Sequence, residues 1–360
     1  MALLLGGSGK MDLSFYKGKR VFITGHTGFK GTWLCKILLN AGAEIVGYSL
    51  APNEDQPFYK VSLVNKNIKS INGDIRDFNN LNKSIISAKP EIIFHMAAQP
   101  LVRESYNYPM ETYSINVMGT VNILESIRNI GSAKSFVNIT TDKVYENKGK
   151  NRAFKEYQKL CGSDPYSSSK SCSELVTYSY KKSFFQGEKK TAISTARAGN
   201  AIGGGDFSKD RIIPDCIRAA IKNKKIFIRN PLSIRPYQHV LECLSGYLIL
   251  AKLQYERKSF EGNYNFGPTE KDYINTRELV ENFCRLWGNG QEYEVEDNGG
   301  PPEADILKLN INKSDKTLNW KPKWNIETAV AKTVEWYKEY YSGGNAEECM
   351  IKQINCYFNR

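Results

Sequence analysis

Apolar and polar positions succeed one another in two periods along this chain, and their order predicts its architecture. Arg20-Val21-Phe22-Ile23-Thr24 is a β-branched and aromatic run of the kind that forms a buried strand. Trp33, Leu34, Ile37 and Leu38 then recur at helical spacing. Further strands are expected at Glu44 to Leu50, Ile68 to Asn72, Glu91 to Met96, Ser135 to Ile139 and from Thr191 to Asn200. Helices are expected over Leu81 to Ala88 and Pro109 to Asn129. Strands separated by helices of these lengths predict an α/β fold with a doubly wound parallel sheet, whose ligands lie at the carboxyl ends of the strands.

Beyond residue 200 the regular alternation breaks down, which predicts a smaller interleaved C-terminal lobe for substrate. The expected division is a flexible leader at 1–14 and a dinucleotide-binding (Rossmann) domain at 15–200. Residues 201–360 are mainly substrate lobe, with some segments returning to the first domain. Leu309 to Tyr341 reads as a short helix, a Trp-Lys-Pro turn and an amphipathic closing helix. The tail after Gly343-Gly344 shows no readable pattern.

Composition narrows the function classes. At 360 residues, 24% charged and 41% hydrophobic, the chain has the profile of a soluble protein with room for two lobes around one site. No stretch approaches a membrane span. The net charge of +12 raises nucleic acid as a partner, but the lysine clusters at 181–182, 189–190 and 222–225 lack interleaved aromatics. The charge is read as an ordinary solvated surface rather than a nucleic-acid site, and such a surface could equally help draw in a small anionic substrate. Eight cysteines without a C-x-x-C pair, and three scattered histidines, predict no metal site and a reducing cytoplasm. Residues 1–10 hold an apolar run too short for a signal peptide, so export is not expected, and Met11 is a candidate second start.

Two motifs carry chemistry. Gly25-His26-Thr27-Gly28-Phe29-Lys30-Gly31 follows the first strand and opens the first helix. In that context the glycines allow a tight turn, close approach of the backbone to a pyrophosphate, and close helix–strand packing. The helix N-terminus offers free N–H groups to the anion. The second strand ends in Tyr48-Ser49, with neither the acid that reads an adenosine ribose nor an arginine for a 2′-phosphate, which leans towards NAD.

The second motif is Asp164-Pro165-Tyr166-Ser167-Ser168-Ser169-Lys170. An aspartate cap and a proline at the first position start a helix that sets Tyr166 and Lys170 one turn apart. An ammonium beside a phenol is expected to lower the phenol's pKa and yield a base near neutral pH.

Together these features resemble an extended short-chain dehydrogenase/reductase acting on a nucleotide sugar. The resemblance rests on Gly25, Gly28 and Gly31, Asp74-Ile75, His95-Met96-Ala97-Ala98, Asn116, Thr140-Thr141-Asp142, and Tyr166 with Lys170. Within that family the narrower match is to the 4,6-dehydratases that act on CDP-linked glucose. It adds Gln99-Pro100-Leu101-Val102-Arg103, Lys143-Val144-Tyr145, Gly203-Gly204-Gly205-Asp206 and Ile234-Arg235-Pro236-Tyr237-Gln238-His239-Val240. The similarity runs from about Phe15 to the carboxyl end.

The resemblance implies NAD held at its phosphates by Gly25, Thr27, Gly28, Phe29 and Gly31, and at its adenine by Asp74 and Ile75. Ala97, Ala98 and Gln99 would line the cofactor's path, Asn116 would support the site, and Thr140 would lie beside the nicotinamide ribose. Thr141 would bond the sugar O4, Tyr166 would be the base for that hydroxyl, and Lys170 would bind ribose and tune the tyrosine. Asn200, Arg211 and Arg235 would hold the substrate.

The pair after Thr141 separates reaction classes. Elimination across C5 and C6 of a hexose needs a 4-keto group, a base at C5 and an acid at the 6-hydroxyl, whereas a 4-epimerase needs only the hydride relay. Lys143 is read as the C5 base and Asp142 as the acid. A homodimer or homotetramer is implied, through the helices around Asn116 and Tyr166. The other readings are another nucleotide-sugar dehydratase, a 4-epimerase, or a dinucleotide- or nucleic-acid-binding protein without turnover.

Overall fold

The computed structural model describes residues 12–52, 55–295 and 306–359. Seven strands form one parallel sheet: β1 (Arg20–Thr24), β2 (Glu44–Ser49), β3 (Lys69–Asn72), β4 (Ile92–His95), β5 (Ser135–Ile139), β6 (Ala192–Ala198) and β7 (Asn263–Phe266). Their order is β7-β6-β5-β4-β1-β2-β3, so the direction of winding reverses between β1 and β4. That reversal opens a crevice at the carboxyl ends, where dinucleotides bind in sheets of this type. Val21, Phe22, Ile92, Ile93, Phe94, Phe136 and Val137 are all buried, because helices cover both faces.

One face packs on the helices Phe29–Asn40 and Val240–Glu256 through Trp33, Leu34, Ile37, Leu244 and Leu248. The other packs on Phe78–Ala88 and Gly119–Arg128 through Leu81, Ile85, Ile123 and Ile127.

Several expectations need correction. The long helix over 109–128 is interrupted at Ser114–Met118 by a π turn, which carries Asn116. Such insertions re-aim one side chain within an otherwise regular helix. The expected return of some segments beyond residue 200 to the first domain takes the form of the seventh strand, in which Asn263–Phe266 pairs in parallel with β6. The leader expected through residue 14 is packed from residue 12 where described, since Leu13 is buried and Ser14–Tyr16 forms a turn. Residues 1–11 lie outside the described residues.

The tail after Gly344 is a helix, Ala346–Phe358, capped by Asn345 and burying Met350, Ile354, Tyr357 and Phe358. Its anchor is Glu242, which accepts hydrogen bonds from the Tyr357 hydroxyl (2.6 Å), the Trp324 N–H (2.7 Å) and the Lys323 N–H (3.0 Å). Burial pushes the Glu242 carboxyl up to about 7, against those donors, which pull it down. The folded chain therefore keeps a proton that the unfolded chain releases. This group's stabilisation is full below about pH 4.5 and is lost as pH rises through about 7. Glu242→Gln is expected to remove that slope. Between about pH 5 and about pH 8 the difference between the two unfolding curves should change by up to about 3 kcal/mol. Parallel curves in chemical denaturation would refute it.

Candidate active site

The glycine-rich turn forms because β1 delivers Gly25 in the left-handed region, at φ +72°. A Cβ there would lie 2.7 Å from the Ala97 nitrogen, and one on Gly31 would lie 2.2 Å from the Gly25 carbonyl oxygen. Gly28 caps Phe29–Asn40 without a side-chain bond, and the Gly25 oxygen, 3.5 Å away, is all that faces its Cβ direction. The backbone at Gly28 and Phe29 is thus an open helix N-terminus, which fits a pyrophosphate. Gly31→Ala is expected to destabilise the chain by about 1–3 kcal/mol, because the added methyl has nowhere to go. A melting temperature equal to the parent's, with and without NAD+, would contradict this.

The flanks of that turn are set by short polar bonds. Thr24 Oγ1 accepts from the N–H groups of Met96 and Ala97, both at 3.1 Å, and bonds His95 Nδ1 at 2.8 Å. Thr27 and Ser49 share a hydroxyl–hydroxyl bond of 2.8 Å at the end of β2, where an acid is usual. Asp74 is gripped by Arg76, whose N–H and guanidinium donate to it and hold its carboxyl below the usual range. Ile75 is buried against Gly119, where a Cβ would sit 2.8 Å from its side chain. Ala98 follows Ala97 on the same crevice loop, half-buried. Asn116, aimed by the π turn, accepts from the Gln99 N–H (2.9 Å) and donates to the Gln99 carbonyl (3.1 Å) and Ser169 Oγ (2.9 Å). The π turn therefore ties the cofactor crevice to the helix that carries Tyr166.

That helix, Pro165–Phe184, starts as its sequence predicts: Asp164 accepts from the Ser167 N–H at 2.9 Å. Tyr166 and Lys170 are both buried on it. Their electrostatics differ from the expectation. Burial pushes the Tyr166 phenol up to about 12; Thr141 and Arg211 oppose the rise, and Asp142 and Asp164 add to it. Lys170 is not among the groups that chiefly set it, and its ammonium donates to the Ile139 carbonyl at 3.1 Å. Burial lowers Lys170 itself to about 8, helped by Lys30 and opposed by Glu174.

Beyond β5 the chain turns through Asp142–Val144, capped by Thr141. Thr141 donates to Asp142 Oδ1 at 2.9 Å, while Asp142 Oδ2 is buried without a partner. The turn's far end is pinned where Ser171 Oγ and the Cys161 N–H both donate to the Val144 carbonyl at 2.9 Å. Gly199 makes room for the acid, since a Cβ there would fall 2.3 Å from Asp142 Oδ2.

A cavity of about 510 Å³ opens over this turn. It brings together Thr140, Thr141, Asp142, Lys143, Tyr166, Asn200, Arg211 and Arg235. Arg211 is also paired with Asp206 at 2.9 Å. Gly25, Thr27, Gly28, Phe29, Gly31, Asp74, Ile75, Ala97, Ala98, Gln99, Asn116 and Lys170 do not line this cavity. His239, unassigned from sequence, is a core residue capping Val240–Glu256, with its ring against Trp33 and Trp324.

Sequence reading missed two buried residues beside the turn, Glu174 and Arg197, which form a two-point ion pair through bonds of 2.8 and 2.7 Å. Two signals were present. Glu174 lies one turn past Lys170, on the face of Tyr166, and Arg197 is a lone charge in an apolar strand. Among the described residues no group of side chains is arranged to hold a metal ion, and no helix is long and apolar enough to cross a membrane.

Residues 22–333 match the family described as GDP-mannose 4,6 dehydratase. A CDP-glucose 4,6-dehydratase of Salmonella typhimurium is 43% identical over 354 residues, covering 97% of this chain and 99% of that one. The human dTDP-D-glucose 4,6-dehydratase is 26% identical over 345 residues, 92% of this chain and 94% of that protein. Among solved structures, a dTDP-glucose 4,6-dehydratase of Bacillus anthracis in complex with NAD superposes with a TM-score of 0.76 at 23% identity, covering 91% and 99% of the two chains. A UDP-glucuronic acid 4-epimerase of Bacillus cereus reaches 0.77 at 22% identity, covering 89% and 99%. At such identities the two structures speak to the fold alone.

Proposed function

The chain belongs to the GDP-mannose 4,6 dehydratase family of extended short-chain dehydrogenase/reductases, and from that premise we propose that its substrate is CDP-glucose. It is a nucleotide-sugar 4,6-dehydratase, a hydro-lyase, with NAD as cofactor. The product by this reading is CDP-4-keto-6-deoxyglucose, with water released. The 43% identity to the Salmonella enzyme over nearly the whole chain supports the choice of CDP-glucose.

The observation that carries the dehydratase chemistry is the buried Asp142, its Oδ2 free, next to Lys143 in the cavity that also holds Tyr166. An epimerase has no use for such a couple.

Gly25, Thr27, Gly28, Phe29 and Gly31 hold the cofactor phosphates, Asp74 and Ile75 the adenine end, and Ala97, Ala98, Gln99 and Asn116 the crevice between. Thr140 and Lys170 meet the nicotinamide ribose. When bound, NAD would supply the acceptor for the C4 hydride and the donor that restores it at C6. Thr141 orients the O4 hydroxyl and Tyr166 removes its proton. The 4-ketone acidifies the proton on C5, which Lys143 in its neutral form removes; once C6 has received its hydride, Lys143 returns a proton, exchanged with solvent, to C5. Asp142 donates a proton to the departing 6-hydroxyl. Asn200, Arg211 and Arg235 hold the sugar diphosphate, a task suited to the planar guanidinium fork.

The test is to incubate the protein and NAD+ with CDP-, UDP-, dTDP- and GDP-glucose in deuterated water. CDP-glucose should give a 4-keto-6-deoxy product with deuterium at C5, and a C4 label should move to C6 of the same molecule. Escape of that label to bulk cofactor, or turnover confined to another nucleotide, would defeat the proposal.

A second copy of the chain is the expected partner. Met110 and Met118 on the 109–128 segment, and Leu175 and Tyr178 on Pro165–Phe184, are at least half exposed apolar side chains. Light scattering should return twice the chain mass or more, and Leu175→Lys with Tyr178→Lys should lower it to one. A monomeric parent would end this reading. A cytoplasmic location is supported by the eight free cysteines.

A further inference from the structure

We infer that the buried Glu174–Arg197 pair is a positioning clamp that holds the Thr141–Asp142–Lys143 turn in register for elimination. The inference rests on the dehydratase reading of that turn.

Arg197 and Glu174 are each 1% exposed at their side chains. The Glu174 carboxylate accepts two bonds from the guanidinium, one from Thr140 Oγ1 (2.5 Å) and one from Thr195 Oγ1 (2.8 Å). The remaining guanidinium nitrogen donates to the Tyr145 hydroxyl and the Glu156 carbonyl, both at 2.9 Å. Tyr145 in turn donates to Asn265 Oδ1 at 2.6 Å, and its ring stacks on Phe154 at 4.9 Å. One ion pair thus grips residue 140 through its carboxylate and residue 145 through its guanidinium. Between those two grips lie Thr141, Asp142 and Lys143.

Energetics favour a positioning role over a stabilising one. A buried ion pair is often replaceable by apolar residues of similar volume at little cost in stability. A buried guanidinium in a strand with no other charge therefore asks for another reason. Asp142 is bonded only through Oδ1, to Thr141 of the same turn, and Oδ2 has no partner, so the direction of that carboxylate follows the backbone of the turn.

The double variant Glu174→Leu/Arg197→Met removes both charges together and leaves neither one buried alone. With CDP-glucose in single turnover it should still oxidise C4, yet exchange C5 hydrogen with solvent and release water roughly 100-fold more slowly, the scale expected for ångström misplacement of acid and base. Reduced nicotinamide should accumulate on it as a visible absorbance. A folded double variant with the parent's rates, or with oxidation and elimination slowed in equal proportion, would overturn the clamp.

Where the double variant does not fold, Tyr145→Phe removes only the hydroxyl and keeps the ring stack. It should show the same accumulation, and an unchanged ratio of the two partial reactions would overturn the clamp equally. If the parent itself shows no C5 exchange, it is the dehydratase reading that fails, so the two failures are distinguishable.

Discussion

Tyr166→Phe is expected to lower kcat by about 10³-fold, within the range lost when a positioned general base is removed. Cofactor affinity should stay near that of the parent, because the ring still fills its place and Lys170 keeps its bond to the Ile139 carbonyl. With the O4 base gone, oxidation becomes the slow step, so reduced nicotinamide should not accumulate even in single turnover. Burial, with Asp142 and Asp164 adding to it, holds the phenol at about 12, so a positive nicotinamide and the Lys170 ammonium must make the phenolate reachable in the working complex. A base raised by burial implies that kcat rises with pH until the phenol in the complex is deprotonated. Lys170→Met should push that limb to higher pH. A Tyr166→Phe variant within tenfold of the parent would remove the tyrosine from the mechanism.

The mismatch at Tyr166 marks where sequence reasoning stops. Spacing of four places Tyr166 and Lys170 on one helix face, and the structure agrees. Spacing does not say that the ammonium is drawn to a strand carbonyl, because that carbonyl comes from a segment 31 residues away. The strands β1, β4, β5 and β6 were legible since each is a largely buried run bounded by turn residues, whereas β3, Lys69–Asn72, is mostly exposed and was placed by its position in the alternation.

β7 was not legible: Asn263-Tyr264-Asn265-Phe266 is short and half amide, and its asparagines are satisfied only by partners distant in sequence. The helix at Ala346–Phe358 had a readable cap at Asn345 and apolar residues at helical spacing. The two glycines before it masked a continuation of the fold. The π turn at Asn116 has no sequence signal that we can identify. It becomes evident only from the bonds that Asn116 makes on both sides.

Replacing the couple after Thr141 one residue at a time should split the reaction into different halves. Lys143→Met removes the base for C5 and leaves the tyrosine untouched. Oxidation should proceed, the absorbance of reduced nicotinamide should build up, and C5 should take no deuterium from solvent. Asp142→Asn leaves the lysine in place, so C5 exchange should continue while loss of the 6-hydroxyl slows by about 10²–10⁴, the span of general-acid effects.

The contrast tests the order of roles as well as their presence. Were Asp142 the C5 base and Lys143 the acid, exchange would vanish in Asp142→Asn and survive in Lys143→Met. The geometry supports the first order. Asp142 is the more deeply buried of the two, is held by Thr141 through one oxygen, and has no partner on the other. Lys143 lines the open cavity as the more accessible amine, able to reach a ring proton and then pass it to water.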